Sequence, residues 1–287
     1  MLLDLTRTPI RWTHRRHTWR PLREPFDPFR FGVEPISHAA ARAFVETHHY
    51  SGSFPVALAS YGLFERTGPH RTEIVGAAVF SLPIQPRAAA SYGAGTTSFC
   101  DLGRFLLLDH VGGNAETWFL ARALRLLRLD RREHTRADLE QLVIAYSDPV
   151  PRRDCTGSVR FAGHFGGIYR DSAAIYLGRT KPRRIWLTPA GTVLSDRALS
   201  KLRTDDRGAA YAYETLQRHG APPRRAGEIG GAYVARALSE GPFRALRHGG
   251  NHIYAFTIAA SGSRRQLRRR LERDLPRPRH TDPLAGS

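Results

Sequence analysis

Four short clusters in this chain carry residue types that could do chemistry. They are His48-His49-Tyr50, Tyr146-Ser147-Asp148, the segment from His164 to Tyr169, and Gly112-Gly113-Asn114-Ala115-Glu116. Histidine titrates near neutral pH and binds transition metals, so either His cluster could supply a base or a ligand. The chain holds 13 histidines, so a satisfied surface or core His accounts for each cluster as readily. Asp148 follows an apolar run, and Pro149 holds it extended, unable to open a helix. Side chains at such a strand end overhang the sheet edge, where ligands settle in α/β architectures. Aspartate is equally a common turn residue. Tyr146, two positions earlier, shares the face of Asp148 and could present its hydroxyl to the same cleft.

Gly112 and Gly113 end a strand and open a helix, which leaves backbone N–H groups pointing outward as a phosphate site; Asn114 reads equally as a plain N-cap. Projection at about 100° per residue puts Phe119, Leu120, Ala123, Leu124 and Leu127 on one face of that helix, with Glu116 in its middle. Arg122, Arg125 and Arg128 line the other face. The helix dipole favours an acid in the first turn, but a carboxylate aimed inward also needs a partner or a task.

The elements that must position these groups follow from period and punctuation. Ser37 caps a helix expected from Ala39 to Thr47, ending at Gly52. Strands are expected over Val56–Phe64 and Glu73–Phe80 around a turn at Gly68-Pro69, then a Pro-, Ala- and Gly-rich loop from Ser81 to Gly95. A central strand over Leu102–Asp109, a helix over Ala115–Leu129 and a buried strand over Leu139–Tyr146 form the clearest part. A short helix near Gly166–Ala174 precedes a strand pair, Ile175–Leu177 with Arg184–Leu187. Later come helices over Ala209–Arg218 and Gly231–Glu240, separated by a break over Pro222–Gly231, and a strand over Ile253–Ala259. This alternation implies an α/β fold with a mixed sheet. The expected organisation is a basic, Pro-interrupted arm over 1–32, a domain over 33–262, and a basic tail over 263–287. The arm reads either as loosely attached or as a follower of a phosphate backbone.

Charge bounds the partners. The 287 residues carry 44 Lys and Arg against 26 Asp and Glu, a net +18. Such an excess attracts polyanions by counterion release, and most of it is arginine, which grips phosphate with two donors. Arg264, Arg265, Arg268, Arg269 and Arg270 form the densest run. It reads as a solvated face or as a phosphate contact. Two cysteines, Cys100 and Cys155, are too few for a zinc cluster or a disulfide framework, which suits a reducing cytosol. No run of 18 apolar residues occurs and the N-terminus lacks a secretory core, so a cytoplasmic protein with no membrane contact is expected. Nothing marks an obligate protein partner.

In order along the chain, several motifs resemble the Mom family of phage DNA-modification proteins. They are His49-Tyr50-Ser51-Gly52; Gly103-Arg104-Phe105 with Asn114-Ala115-Glu116; Tyr146-Ser147-Asp148; His164-Phe165-Gly166-Gly167-Ile168-Tyr169; Ile175-Tyr176-Leu177-Gly178; Ile185-Trp186-Leu187-Thr188 with Leu199-Ser200-Lys201; and Asn251 to Phe256 ahead of a basic tail. The resemblance covers about residues 37 to 275 and implies that the domain over 33–262 is catalytic, with insertions near 151–163 and 220–245. It implies a GNAT-like mixed central sheet flanked by helices, with basic extensions at both ends. The implied activity converts adenine in double-stranded DNA to a carbamoylmethyl derivative on its exocyclic amine, an anti-restriction modification encoded by a phage or prophage. The implied ligands are acetyl-CoA or a related acyl-CoA, and iron. The acyltransferases' usual Arg/Gln-x-x-Gly-x-Gly/Ala signature is missing, and Gly112-Gly113-Asn114 stands in its place.

On this reading His49, Tyr50 and Asp148 form the reactive centre and are the candidate metal ligands; Tyr146, His164 and Tyr169 line it. Gly112, Gly113, Asn114 and Glu116 shape the coenzyme cleft, and Lys201 joins the arginine run in contacting DNA. The carbamoylmethyl product joins nitrogen to a carbon with unactivated C–H bonds, which gives a chemical reason for oxidative help from a metal. An adenine inside a duplex must also be unstacked before its amine can react. Two alternatives stay open: an acetyltransferase acting on a protein or small amine, and a DNA-binding protein without catalysis.

Overall fold

Ser37 opens the first helix as its residue type predicts: the hydroxyl accepts from Ala40 N at 3.1 Å, and α1 (His38–His48) follows. The computed structural model describes residues 7–13, 16–21, 26–49, 51–83, 99–134, 142–258, 261–272 and 274–278. The strands are β1 (Arg7–Thr13), β2 (Arg16–Pro21), β3 (Phe31–Pro35), β4 (Ala57–Gly68), β5 (Arg71–Ser81), β6 (Phe99–Leu107) and β7 (Leu142–Ser147). They continue with β8 (Arg152–Arg153), β9 (Val159–Phe161), β10 (Ile175–Arg179), β11 (Arg183–Leu187), β12 (Arg244–His248) and β13 (His252–Thr257). The remaining helices are α2 (Ala115–His134), α3 (Gly167–Asp171), α4 (Asp196–Arg203), α5 (Ala209–Arg218), α6 (Gly230–Glu240) and α7 (Ser261–Leu271).

The chain divides into two units. In the first, seven strands line up as β10-β13-β7-β6-β5-β4-β3. Every neighbouring pair is antiparallel except β6 and β7, which are parallel and joined through α2. A parallel pair needs such a crossover. Alternate residues of each strand serve opposite faces. Ala78, Phe80, Val143 and Ala145 meet Phe119, Leu120, Ala123 and Leu127 of α2. Ala77 and Val79 meet Ala41 and Val45 of α1. Leu142 and Ile144 share the second cluster with Leu267 and Leu271 of α7. Each fully buried Phe or Leu contributes about 1.5–3 kcal/mol, so three helices clamp the sheet from its two sides.

The second unit is built from residues 149–163 and 180–250. It contains two short antiparallel ribbons, β8–β9 and β11–β12, and packs Leu199, Leu202, Leu216, Tyr233 and Val234 of α4, α5 and α6 into its own core.

Three differences from the sequence reading have physical causes. The segments at 175 and 184 do not pair with each other: β10 pairs with β13 and β11 with β12, across long stretches of chain that local pattern cannot anticipate. The basic N-terminal segment forms a strand ribbon, with Pro9 and Pro21 accommodated in a two-stranded edge pair that shifts register between Pro9 and Trp12. The arginine run near the C-terminus lies on a docked helix, because Leu267 and Leu271, four residues apart, are buried. The expected loop over 84–95 lies outside the described residues, as do residues 139–141 of the expected buried strand. No helix among the described residues is long and apolar enough to cross a membrane.

Candidate active site

His49 ends α1. Its N–H donates to Val45 O at 2.8 Å, and Gly52, with φ 53°, closes the turn by donating to His49 O at 2.9 Å. Inside this turn Ser51 N donates to His49 Nδ1 at 3.1 Å, and Ser51 Oγ lies 2.8 Å from the same nitrogen. A backbone N–H can only donate, so Nδ1 is an acceptor and the neutral ring carries its proton on Nε2. Further donors stand behind Ser51. Ser53 Oγ donates to Ser51 Oγ at 3.4 Å; Arg104 Nη2 donates to Ser53 Oγ at 2.8 Å, and Arg104 Nε to Ser53 O at 2.9 Å. Burial, then the positive charge of Arg104, then His164 hold the His49 pKa down to about 3. At neutral pH His49 is therefore uncharged and offers a donor, not an acceptor, through Nε2.

Arg104 reaches Ser53 because β6 passes closely under the turn after α1. A Cβ at Gly103 would lie 2.5 Å from Ser81 Oγ and 3.0 Å from Pro55, so only glycine allows that approach. Beyond Asp101 the parallel pair separates: β6 and β7 are in register only over Phe99–Asp101 and Leu142–Ile144. Asp101, 3% exposed, sits at the last paired position, with Ser81 and Ile144 as its register neighbours. On the other side of the opening, β7 ends at Ser147 and half-buried Asp148 follows. His164 N donates to Asp148 O at 2.8 Å. His164 lies close enough to His49 to lower its pKa, and its main-chain bond to Asp148 O ties it to the end of β7.

The other expected residues are placed as follows. Tyr50 lies outside the described residues. Tyr146 packs against the cluster of Leu142 and Ile144. Tyr169 is buried in the core, its ring 5.4 Å from Tyr254 and 6.2 Å from Phe256, instead of facing an open cleft. The Tyr254 hydroxyl donates to Phe165 O, and burial raises its pKa. Gly112 and Gly113 lie in the turn before α2, and Asn114, with φ 66°, has left-handed backbone instead of the extended backbone usual for an N-cap. Its carbonyl accepts from Trp118 N at 3.4 Å and Thr117 Oγ1 at 3.1 Å. Glu116 is half-buried, with Oε1 shielded from solvent. Arg264, Arg265, Arg269 and Arg270 are exposed on α7, whereas Arg268 donates to Ala173 O at 3.2 Å and to Glu272 at 2.8 Å. Lys201 lies on α4 of the second unit.

Arg104, Ser51, Ser53 and Asp101 join the site without having been singled out for chemistry. The motifs His49-Tyr50-Ser51-Gly52 and Gly103-Arg104-Phe105 were the available signal; Ser53 and Asp101 lie outside them, since their place depends on a turn and a sheet meeting a distant strand.

Among the described residues no three His, Cys, Asp or Glu side chains converge, and the Nδ1 of His49 is already taken by Ser51 N–H, so the described donors do not fit the expected iron. Beyond Asp101 the edges of β6 and β7 are not paired with each other, and Glu116 sets a carboxylate in the first turn of α2.

Comparison with known proteins adds three findings. One solved structure, titled a tandem GNAT protein from the clavulanic acid biosynthesis pathway (without AcCoA), is similar at 12% identity and a TM-score of 0.36, covering 80% of this chain and 99% of that one. No curated protein matches the chain. The model of the Mom protein family matches residues 30–227, more than half of the sequence and the whole set from His49 to His164. The chain belongs to the Mom protein family.

Proposed function

We propose that this protein is a DNA-modifying transferase that adds a carbamoylmethyl group to the exocyclic amine of adenine in duplex DNA. What carries the reading is membership of this family together with a shielded, neutral His49 that feels the charges of Arg104 and His164, with His164 bonded through its backbone to Asp148 at the end of β7. The net charge of +18 supports a polyanionic substrate. An acyl-CoA would lie between β6 and β7, along residues 102–107 and 145–147, and would supply the two-carbon unit. Forming the N–CH2 bond breaks a C–H bond and so consumes a two-electron oxidant as co-reactant, and an ammonia-equivalent amine displaces CoA at the carbonyl to complete the amide.

The chain's own residues have distinct tasks in this proposal. Neutral His49 donates from Nε2 to an oxygen that gains negative charge, a task that needs a fixed donor in place before reaction. Asp148, at the strand end, takes the proton that the adenine amine gives up. Arg104 anchors the serine turn and keeps the neighbourhood positive, which disfavours protonation of His49. The flipped base costs a few kcal/mol to extrude, which DNA-backbone contacts elsewhere on the protein offset.

Mass spectrometry of nucleosides from DNA of cells expressing the protein is the test. The expected result is a modified deoxyadenosine heavier by one carbamoylmethyl group, reduced at least 100-fold by Asp148→Asn with the protein still folded. Unmodified adenine in cells holding soluble protein contradicts the proposal; an acetylated protein or small amine in its place would identify the acetyltransferase alternative.

A further inference from the structure

Arg184 and Arg247 stand directly opposite each other in the register of β11 and β12. Both are exposed. Facing residues of an antiparallel pair have Cα atoms about 4.5–5.5 Å apart, and like charges so placed destabilise the ribbon. Among the described residues neither guanidinium has an acidic partner or a hydrogen-bond acceptor.

The shortage of counter-charge in the second unit is general. Residues 149–163 and 180–250 carry sixteen Lys and Arg against seven Asp and Glu. Most of those acids are already engaged. Asp154 holds Arg160, Asp205 holds Arg224 through two bonds of 2.7 and 3.0 Å, and Glu228 and Glu240 both hold Arg236. The nearest relief within the ribbon is weak, Asp196 at 3.9 Å from Arg183.

The ribbon is also held stiffly at the end that bears this pair. A Cβ at Gly250 would lie 2.0 Å from Thr180 O, so the backbone entering β11 and the backbone leaving β12 run in contact. His248, 1% exposed, accepts from Gly250 N at 3.0 Å and locks the same end. Ile185 and Leu187 are buried along the strand. Two like charges are therefore kept face to face by a framework that does not let them swing apart at the backbone.

We infer that the Arg184–Arg247 pair is a phosphate clamp, by which the second unit grips the backbone of duplex DNA. An anion between the two forks turns the repulsion into a pair of charge-assisted contacts, and a guanidinium binds phosphate in two-point fashion. A two-stranded ribbon is narrow enough to lie along a groove and follow the backbone at its edge. The clamp lies apart in sequence and fold unit from the arginines of α7, and it rests on the proposal that DNA is the substrate.

The test compares full-length variants for binding to a labelled duplex by fluorescence anisotropy over a series of salt concentrations. Arg184→Gln with Arg247→Gln should weaken binding about tenfold or more at 0.15 M salt and lower the slope of log K against log salt by roughly two. Its melting temperature should stay level or rise, because the repulsion is gone. Arg184→Glu alone creates a facing ion pair, so it keeps the ribbon folded while abolishing the clamp, and it should weaken DNA binding as much. Arg203→Gln with Arg207→Gln removes the same charge from the same unit and should cost clearly less.

Equal losses from the ribbon variant and this control overturn the clamp. So does wild-type binding by either ribbon variant. Neutralising Arg265 and Arg269 on α7 separates the two levels of the argument. If that change weakens binding while the ribbon variants do not, the clamp fails and the DNA substrate stands; if wild-type protein binds no duplex, both fall.

Discussion

The hydrogen on Ser51 N has one acceptor within reach, the Nδ1 of His49, and that single direction decides what the imidazole can do. A ring held neutral with its proton on Nε2 is a donor across the physiological range. The same constraint has a consequence for stability. Folding lowers the His49 pKa from 6.5 to about 3. Above pH 6.5 the ring is neutral in both states and nothing is lost; below it the unfolded chain takes up a proton that the folded one refuses. Stability should therefore drain away as pH falls from about 6.5 toward 3. Thermal melts between pH 7 and 4 should show a downward slope that His49→Gln makes shallower, and an identical slope in the variant would mean the ring is not shielded. His49, His164 and Asp148 were legible as chemistry-bearing types beside turns and a strand end. Arg104 and Ser51 were legible only as members of motifs, and Ser53 not at all, because a serine's role is set by what its turn packs against.

Helix α7 shows how one element sorts residues of a single type. Leu267 and Leu271 bury one stripe against β10 and β13, and the stripe fixes where each neighbouring arginine points. Arg268 flanks the stripe and spends its donors on Ala173 O and Glu272. Arg265 and Arg269 share an exposed row with an open hollow of about 420 Å³ beside it, lined also by Gly262, Gln266 and Arg270. Replacing Arg268 by Gln should cost about 0.5–1 kcal/mol in a urea melt and barely change the salt dependence of DNA binding. Replacing Arg265 and Arg269 by Gln should do the reverse: stability within about 0.5 kcal/mol of wild type, and a clearly shallower salt slope. If all three behave alike, the helix acts as undifferentiated charge. The run of five arginines announced a basic surface, but Leu267 and Leu271 gave the local sign of a docked face.

For the whole molecule, the excess of 44 basic over 26 acidic residues is shared between the two units, and it sets the expected response to salt. A protein that neutralises six to ten phosphates loses about 10³–10⁵ in affinity between 50 and 200 mM salt. Anisotropy titrations of the wild-type protein should show a fall of at least about a thousandfold over that range. Affinity that hardly changes would point to base or apolar contacts in place of phosphate grip. The acids in the second unit have their own pH response. Hydrogen bonds from Thr156 hold the Asp154 carboxyl down to about 2, and those from Arg236 do the same for Glu228. Those contacts are present at neutral pH and are lost only as the medium becomes strongly acid.

Local periodicity carries its own information, and this chain used it well. The net charge, the Ser37-capped helix, the apolar face of α2 around Phe119 and Leu120, and the buried strand before Asp148 all follow from neighbours within a few positions of one another. Strand partnership does not. That β10 joins β13 while β11 joins β12, that β6 and β7 part after Asp101, and that Arg184 comes to face Arg247 are contacts between distant segments. Their choice depends on which faces remain to be covered once the cores close, and no window along the chain contains that competition.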